Sequence, residues 1–165
     1  MHGHRATQVS VLGGKLRIRG TVGALVGPPW SKREVGCVLQ ETGGIRVYYE
    51  PHASFDAASL REVAPVDVVI SPTTSTYAAG FPLVEGLEGV PSVVRLLRPQ
   101  VVVPLINNTV RVEGVLGAAI SAAGTNDPAA VEAWLAQQGV TVSVAGPQAI
   151  GQSLPITLPA RMPAL

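Results

Sequence analysis

IRVYYEPHASFDAASLREVAPVDVVISP, residues 45–72, is the stretch that decides the fold. It opens on a short apolar run ending in two tyrosines, which reads as a strand. Ser54 or Asp56 then offers an N-cap for a short helix, with Leu60 and Val63 facing the sheet. PVDVVISP (65–72) follows, an apolar run bounded by prolines, as expected of a strand covered on both faces. Strand, helix, strand is the grammar of a sheet with helices packed on it. The chemistry is densest here too, because Glu50, His52 and Asp56 lie close together where the first strand gives way to the helix.

Upstream the period is two. Val9 and Val11, then Leu16 and Ile18 alternating with Lys15, Arg17 and Arg19, predict antiparallel strands joined by a turn at Gly13 and Gly14. EVGCVLQE and IRVYYE, separated by TGG, predict a second hairpin. Downstream, GVPSVVRLLRP (89–99) places Val90, Val93, Val94 and Leu97 on one helical face, and QVVVPLI (100–106) reads as another buried strand. GVLGAAISAAG (114–124) reads as a glycine-weakened helix with Leu116 and Ile120 inward. NDPAAVEAWLAQQG (126–139) is a helix capped by Asp127, with Val131, Trp134, Leu135 and Gln138 on one side and Gly139 at its end. VTVSVAGP then reads as a strand, and PITLPARMPAL as an edge segment running into a loose tail at 159–165. The expectation is an α/β fold, a mixed sheet with helices, forming a single domain over 1–165.

Composition narrows the function classes. Twelve Lys and Arg against eleven Asp and Glu leave a net charge of +1, so no global field favours nucleic acid. Charged residues make up only 14% of the chain, well below the roughly 25% of an ordinary domain. That sparseness predicts either a large buried fraction or an apolar surface covered by a partner subunit or by a missing part of the same fold. A single cysteine, Cys37, excludes an internal disulfide and a Cys-rich zinc site; it reads as a buried small hydrophobe. No run is long enough to span a bilayer and no secretory signal is visible, so a cytoplasmic location is the default expectation.

The glycine-rich segments VLGGKL and GTVGALVG lack the spacing and the following helix of phosphate loops, and no GxSxG elbow exists. SPTTSTY (71–77) gathers hydroxyls in a loop after a parallel strand, the end of a sheet where ligands bind. Of three histidines, His2 and His4 form an HxH pair near the start, and His52 follows a strand with Glu50 and Asp56 nearby. His52 and Glu50 are therefore the candidates for holding a metal or moving a proton, or for fixing the turn by hydrogen bonds.

LVGPPWSKREVGCVLQETGGIRVYYEPHASFD (25–56), PVDVVISPTTSTYAAGFPLVEG (65–86) and VVRLLRPQVVVPLINN (93–108) together resemble the carboxyl-terminal half of metallo-beta-lactamase-like proteins. More narrowly they resemble a branch of photosynthetic organisms related to the UlaG-like hydrolases, which adds the plastid as a second expected compartment. The resemblance implies an αββα sandwich of two similar halves, with zinc or another divalent metal activating water for hydrolysis. It casts His52 and Glu50 as catalytic or metal-binding groups and Ser75 and Tyr77 as substrate contacts. The family's HxHxDH motif is missing, since HGHRAT (2–7) keeps only its first two histidines; Ile106, Asn107 and Asn108 stand where many relatives place a histidine. The expected ligand set is thus incomplete. The sequence predicts a truncated or degenerate domain of a metal-dependent hydrolase, with a homo-oligomer or the missing half of the fold as partner. The alternatives are a non-catalytic interaction or scaffold module, and a metal-free small-molecule binding domain using the 71–77 loop.

Overall fold

The computed structural model describes residues 8–25, 30, 32–106, 113, 114, 117, 119–146 and 151–158. The alternating N-terminal segment forms four antiparallel strands: β1 (Gln8–Val11), β2 (Leu16–Leu25), β3 (Arg33–Glu41) and β4 (Arg46–Tyr49). Helix α1 (Ala57–Arg61) carries the chain over to β5 (Val68–Pro72), which lies parallel to β4. Helix α2 (Val90–Leu97) leads to β8 (Val101–Leu105), parallel to β5, and α3 (Pro128–Gln137) leads to β10 (Ser143–Val144), parallel to β8. The result is one seven-stranded sheet, ordered β1-β2-β3-β4-β5-β8-β10. A separate three-stranded sheet is ordered β7-β6-β9, from β6 (Thr74–Ala78), β7 (Phe81–Val84) and β9 (Ile120–Gly124).

The helices begin where the side chains dictate. Asp56 accepts a hydrogen bond from the Ser59 N–H at 2.8 Å, and Asp127 from the Ala130 N–H at 2.9 Å, so each caps a helix whose first amides lack partners. Leu60, Val90, Val93, Val94, Leu97, Val131 and Leu135 from the three helices pack on Val38, Tyr48, Val69 and Val102 of the sheet. These residues form the core, and all of them lie on one face of the large sheet.

The opposite face has no helix layer among the described residues. Strand register aligns Val9, Ile18, Leu39, Val47, Val68 and Val101 in one row running across six strands. A second row aligns Gly20, Cys37, Tyr49, Ile70 and Val103. Because successive side chains of a strand alternate between faces, each row belongs wholly to this second face. Cys37 and its row neighbours Tyr49, Ile70 and Val103 are only half-buried, and Val35, also on this face, is 66% exposed. The expected burial of Cys37 is thus only partly realised, because no helix among the described residues covers its stretch of the sheet, although Val68 and Val101 farther along the same face are 5% exposed.

Three further expectations change. Residues 120–124 form strand β9, not the end of a helix: all five are exposed, so no apolar stripe could hold a helix there, whereas β6 offers an edge to pair with. Leu116 lies outside the described residues. The segment 71–77 is not a loop, since β5 runs to Pro72 and β6 starts at Thr74; the β-branched and aromatic residues of TSTY suit a pleated strand. Gln138 is exposed and does not join the inward side, because the last helical residue is Gln137 and Gly139 turns the chain at φ +70°. The expected tail at 159–165 lies outside the described residues.

Candidate functional site

The candidate site stands at the carboxyl end of β4. The Glu50 N–H bonds to the Ile70 carbonyl at 3.3 Å, which extends the parallel pairing of β4 and β5 by one residue and fixes where the Glu50 side chain emerges. That side chain turns to the helix face and is 1% exposed. Its carboxylate then closes the turn that follows, accepting the His52 N–H at 3.0 Å and the Ser54 N–H at 3.0 Å. The His52 carbonyl in turn receives the Glu85 N–H at 2.9 Å, which pins the turn to the segment before α2.

Neighbouring polar groups crowd the same place. The backbone of β3 comes so close at Gly36 that an added Cβ would stand 2.7 Å from Thr21 Oγ1 and 3.0 Å from both Glu50 Cγ and Tyr48 Oη. Only glycine leaves room for these three side chains to converge. Ser71 Oγ and His52 Nδ1 are buried and find no hydrogen-bond partner among the described residues, while the Thr21 and Tyr48 hydroxyls lie against one another, and the interaction with Thr21 slightly opposes the rise of the phenol. The cluster is therefore polar but under-satisfied, a state that costs about 1–3 kcal/mol per group where it persists.

Burial dominates the electrostatics. Loss of water pushes the Glu50 carboxyl up to about 7, against the pull of the backbone N–H groups it accepts, and the charge of Glu85 adds to the rise. Burial raises the Tyr48 phenol further, with the Glu50 charge in support, so it stays protonated. The His52 imidazole is lowered by desolvation, which the charge of Glu34 only partly opposes. Its Nδ1 lies 3.5 Å from Glu50 Oε1, too long for a hydrogen bond. A neutral imidazole beside a carboxyl that titrates near neutrality can exchange a proton through one intervening group.

The sequence-derived candidates thus separate. Glu50 and His52 are together. Ser75 is buried inside β6 and its hydroxyl donates to the Glu85 carbonyl at 2.6 Å, while Tyr77 stands two residues along the same strand, half-buried. Asp56 serves α1 as its cap. His2, His4, Asn107 and Asn108 lie outside the described residues, and Ile106 is exposed. Sequence reasoning passed over Thr21, Gly36 and Ser71, which only strand register brings beside Glu50; VGCVLQ read as an ordinary apolar strand.

A zinc or other divalent ion needs three or four converging donors. No group of three His, Cys, Asp or Glu converges among the described residues, and the Glu50 oxygens already accept backbone N–H groups. These residues by themselves do not fit a metal. No helix among the described residues is long and apolar enough to cross a membrane.

A family model described as "Beta-lactamase superfamily domain" matches residues 5–106. Among solved structures, the chain is similar to Igni18, a metallo hydrolase from the hyperthermophilic archaeon Ignicoccus hospitalis KIN4/I, at 18% identity and TM-score 0.53, covering 89% of this chain and 57% of that one. It is also similar to the isothiocyanate hydrolase from Delia radicum gut bacteria, at 12% identity and TM-score 0.54, covering 84% of this chain and 55% of that one. At these identities the likeness concerns the fold, and the chain spans a little over half the length of either relative. Comparison with curated proteins gives no match.

Proposed function

Because the chain belongs to the beta-lactamase superfamily, we propose that it works as one half of that superfamily's αββα sandwich, an assembly module completed by a second sheet docking on its apolar face. Within the superfamily it is the carboxyl-terminal half, of the UlaG-like branch, a reading supported by the segments 25–56, 65–86 and 93–108. Hydrolysis belongs to the completed sandwich, and no hydrolytic step is assigned to Glu50 and His52 alone. Their part is local: Glu50 holds the 50–54 turn by its amide hydrogen bonds, and the turn presents His52 at the end of the sheet.

The observation that carries this reading is the pair of apolar rows on the face opposite the helices. In the first row the accessible members are those of β1–β4, since Val68 and Val101 are only 5% exposed, and four strands at about 4.8 Å spacing span about 14 Å. An apolar strip with no helix over it is the mark of a contact site. Without its complementary half, the chain is expected to pair with itself through the same face. Light scattering on the purified chain should give a dimer or larger species, and Val35→Lys should shift it to monomer by placing a charge in the contact. A monodisperse monomer for the unsubstituted chain would sink the reading.

A further inference from the structure

We propose that the helix side of β1–β4 carries an oxyanion site that takes the phosphate group of a small phosphorylated molecule. Strand register gathers its residues from four strands. Arg17 on β2 lies between Ser10 on β1 and Gln40 on β3, and Gln40 in turn faces Arg46 on β4. In the adjoining row Arg19 lies between Gln8 and Val38. Gln8, Arg17, Arg19, Val38, Gln40 and Arg46 line a pocket of about 90 Å³. All six lie on strands, and Glu62, just after α1, borders the pocket through its bond to Arg19.

The lining has one chemical character. Three guanidinium groups and two amides surround it, the buried Val38 forms its floor, and no carboxylate lines it. Arg19 is held by Glu62, through Nη2 to the carboxylate at 2.7 Å and Nη1 to the carbonyl at 3.2 Å. Arg46 is held by the carbonyls of Pro65 and Val63. Two of the three forks are therefore fixed before any ligand arrives, which lowers the entropy lost on binding. Arg17 is exposed and forms no ion pair among the described residues. It is the group left to close on an anion. Planar guanidinium forks match the paired oxygens of a phosphate, and several of them around one small pocket suit a dianion better than a monoanionic carboxylate.

This pocket lies on the face opposite the apolar rows and at the other end of β4 from Glu50, so it stands or falls independently of the function proposed above. Isothermal titration of the purified chain at low ionic strength, with inorganic phosphate, acetate and phosphatidic acid vesicles as separate probes, tests it. Phosphate should bind, acetate should bind at least tenfold more weakly, and Arg17→Gln should weaken phosphate binding about tenfold or more. Lys32→Gln, which removes an exposed cation outside the pocket, should leave phosphate binding unchanged. Circular dichroism of both variants should match the parent, and Arg17 is exposed enough for its loss to be tolerated. Failure of phosphate to bind, equal weakening by Lys32→Gln, or binding to vesicles alone would each overturn the proposal.

Discussion

The carboxyl group of Glu50 lies almost wholly out of water yet accepts backbone N–H groups from His52 and Ser54, and these conditions pull its protonation in opposite directions. Burial wins, because the carboxyl is pushed up to about 7. An acid raised above its unfolded value binds its proton more tightly in the folded chain. Its contribution is therefore fully present below the unfolded value, near pH 4.5, and is lost as pH rises towards 7. That loss is about 3 kcal/mol, with no further change above neutrality. Glu50→Gln removes this titration. Urea unfolding at a series of pH values should show the variant gaining about 3 kcal/mol on the parent between pH 4.5 and 7. A difference that stays constant across that range would refute the assignment. The sequence shows Glu50 and His52 as neighbours of chemical interest, but it does not show the burial. That depends on Gly36, whose missing side chain lets Thr21, Tyr48 and Glu50 meet across three strands, and no local pattern in VGCVLQ announces it.

At the scale of elements, what the sequence makes legible follows periodicity and capping. Asp56 and Asp127 each stand before a helix as a capping residue should, and each accepts the N–H three residues on. The period-two segments became β1–β4 because alternation specifies a face directly. The departure from the expected helix comes at 120–124, while Gly114 and Gly117 are helical: alanine and glycine carry no face information, and pairing was settled by a distant edge. Strand β9 joins β6 over Thr74 to Ala78, and its last residue, Gly124, meets Thr73 and Thr74 at close range. A Cβ on Gly124 would stand 2.5 Å from the Thr73 carbonyl oxygen, and its φ of +111° is one that other residues rarely adopt. Gly124→Ala should therefore loosen the small sheet while sparing the large one. Hydrogen exchange should speed up at the amides of β6 and β9 with those of β4, β5 and β8 unchanged. Uniform acceleration across both sheets would mean that the two sheets unfold together and that the close approach is not a local constraint.

For the whole molecule, the low content of charged side chains and the sheet face without a helix layer among the described residues have one explanation. Strand alternation in a soluble two-layer protein places apolar residues against helices and polar residues against water. Here β2 places Arg17 and Arg19 on the helix side and Leu16 and Ile18 on the other, so its apolar alternate faces away from the helices. That inversion makes sense when a further layer belongs on the second face. If the chain fills that face with a second copy of itself, folding and association are linked, and stability depends on protein concentration. For two chains of this size unfolding together the melting temperature should then rise by about 2 °C for each tenfold increase in concentration. Scanning calorimetry over a hundredfold range measures this directly. Val35→Lys should abolish the dependence and lower the melting temperature at high concentration, because its charge lies where the two apolar faces would meet, whereas an isolated chain carries that side chain 66% exposed and would hardly notice the change. A melting temperature independent of concentration in the unsubstituted chain would, like a monomer by light scattering, count against the docking role of the apolar rows.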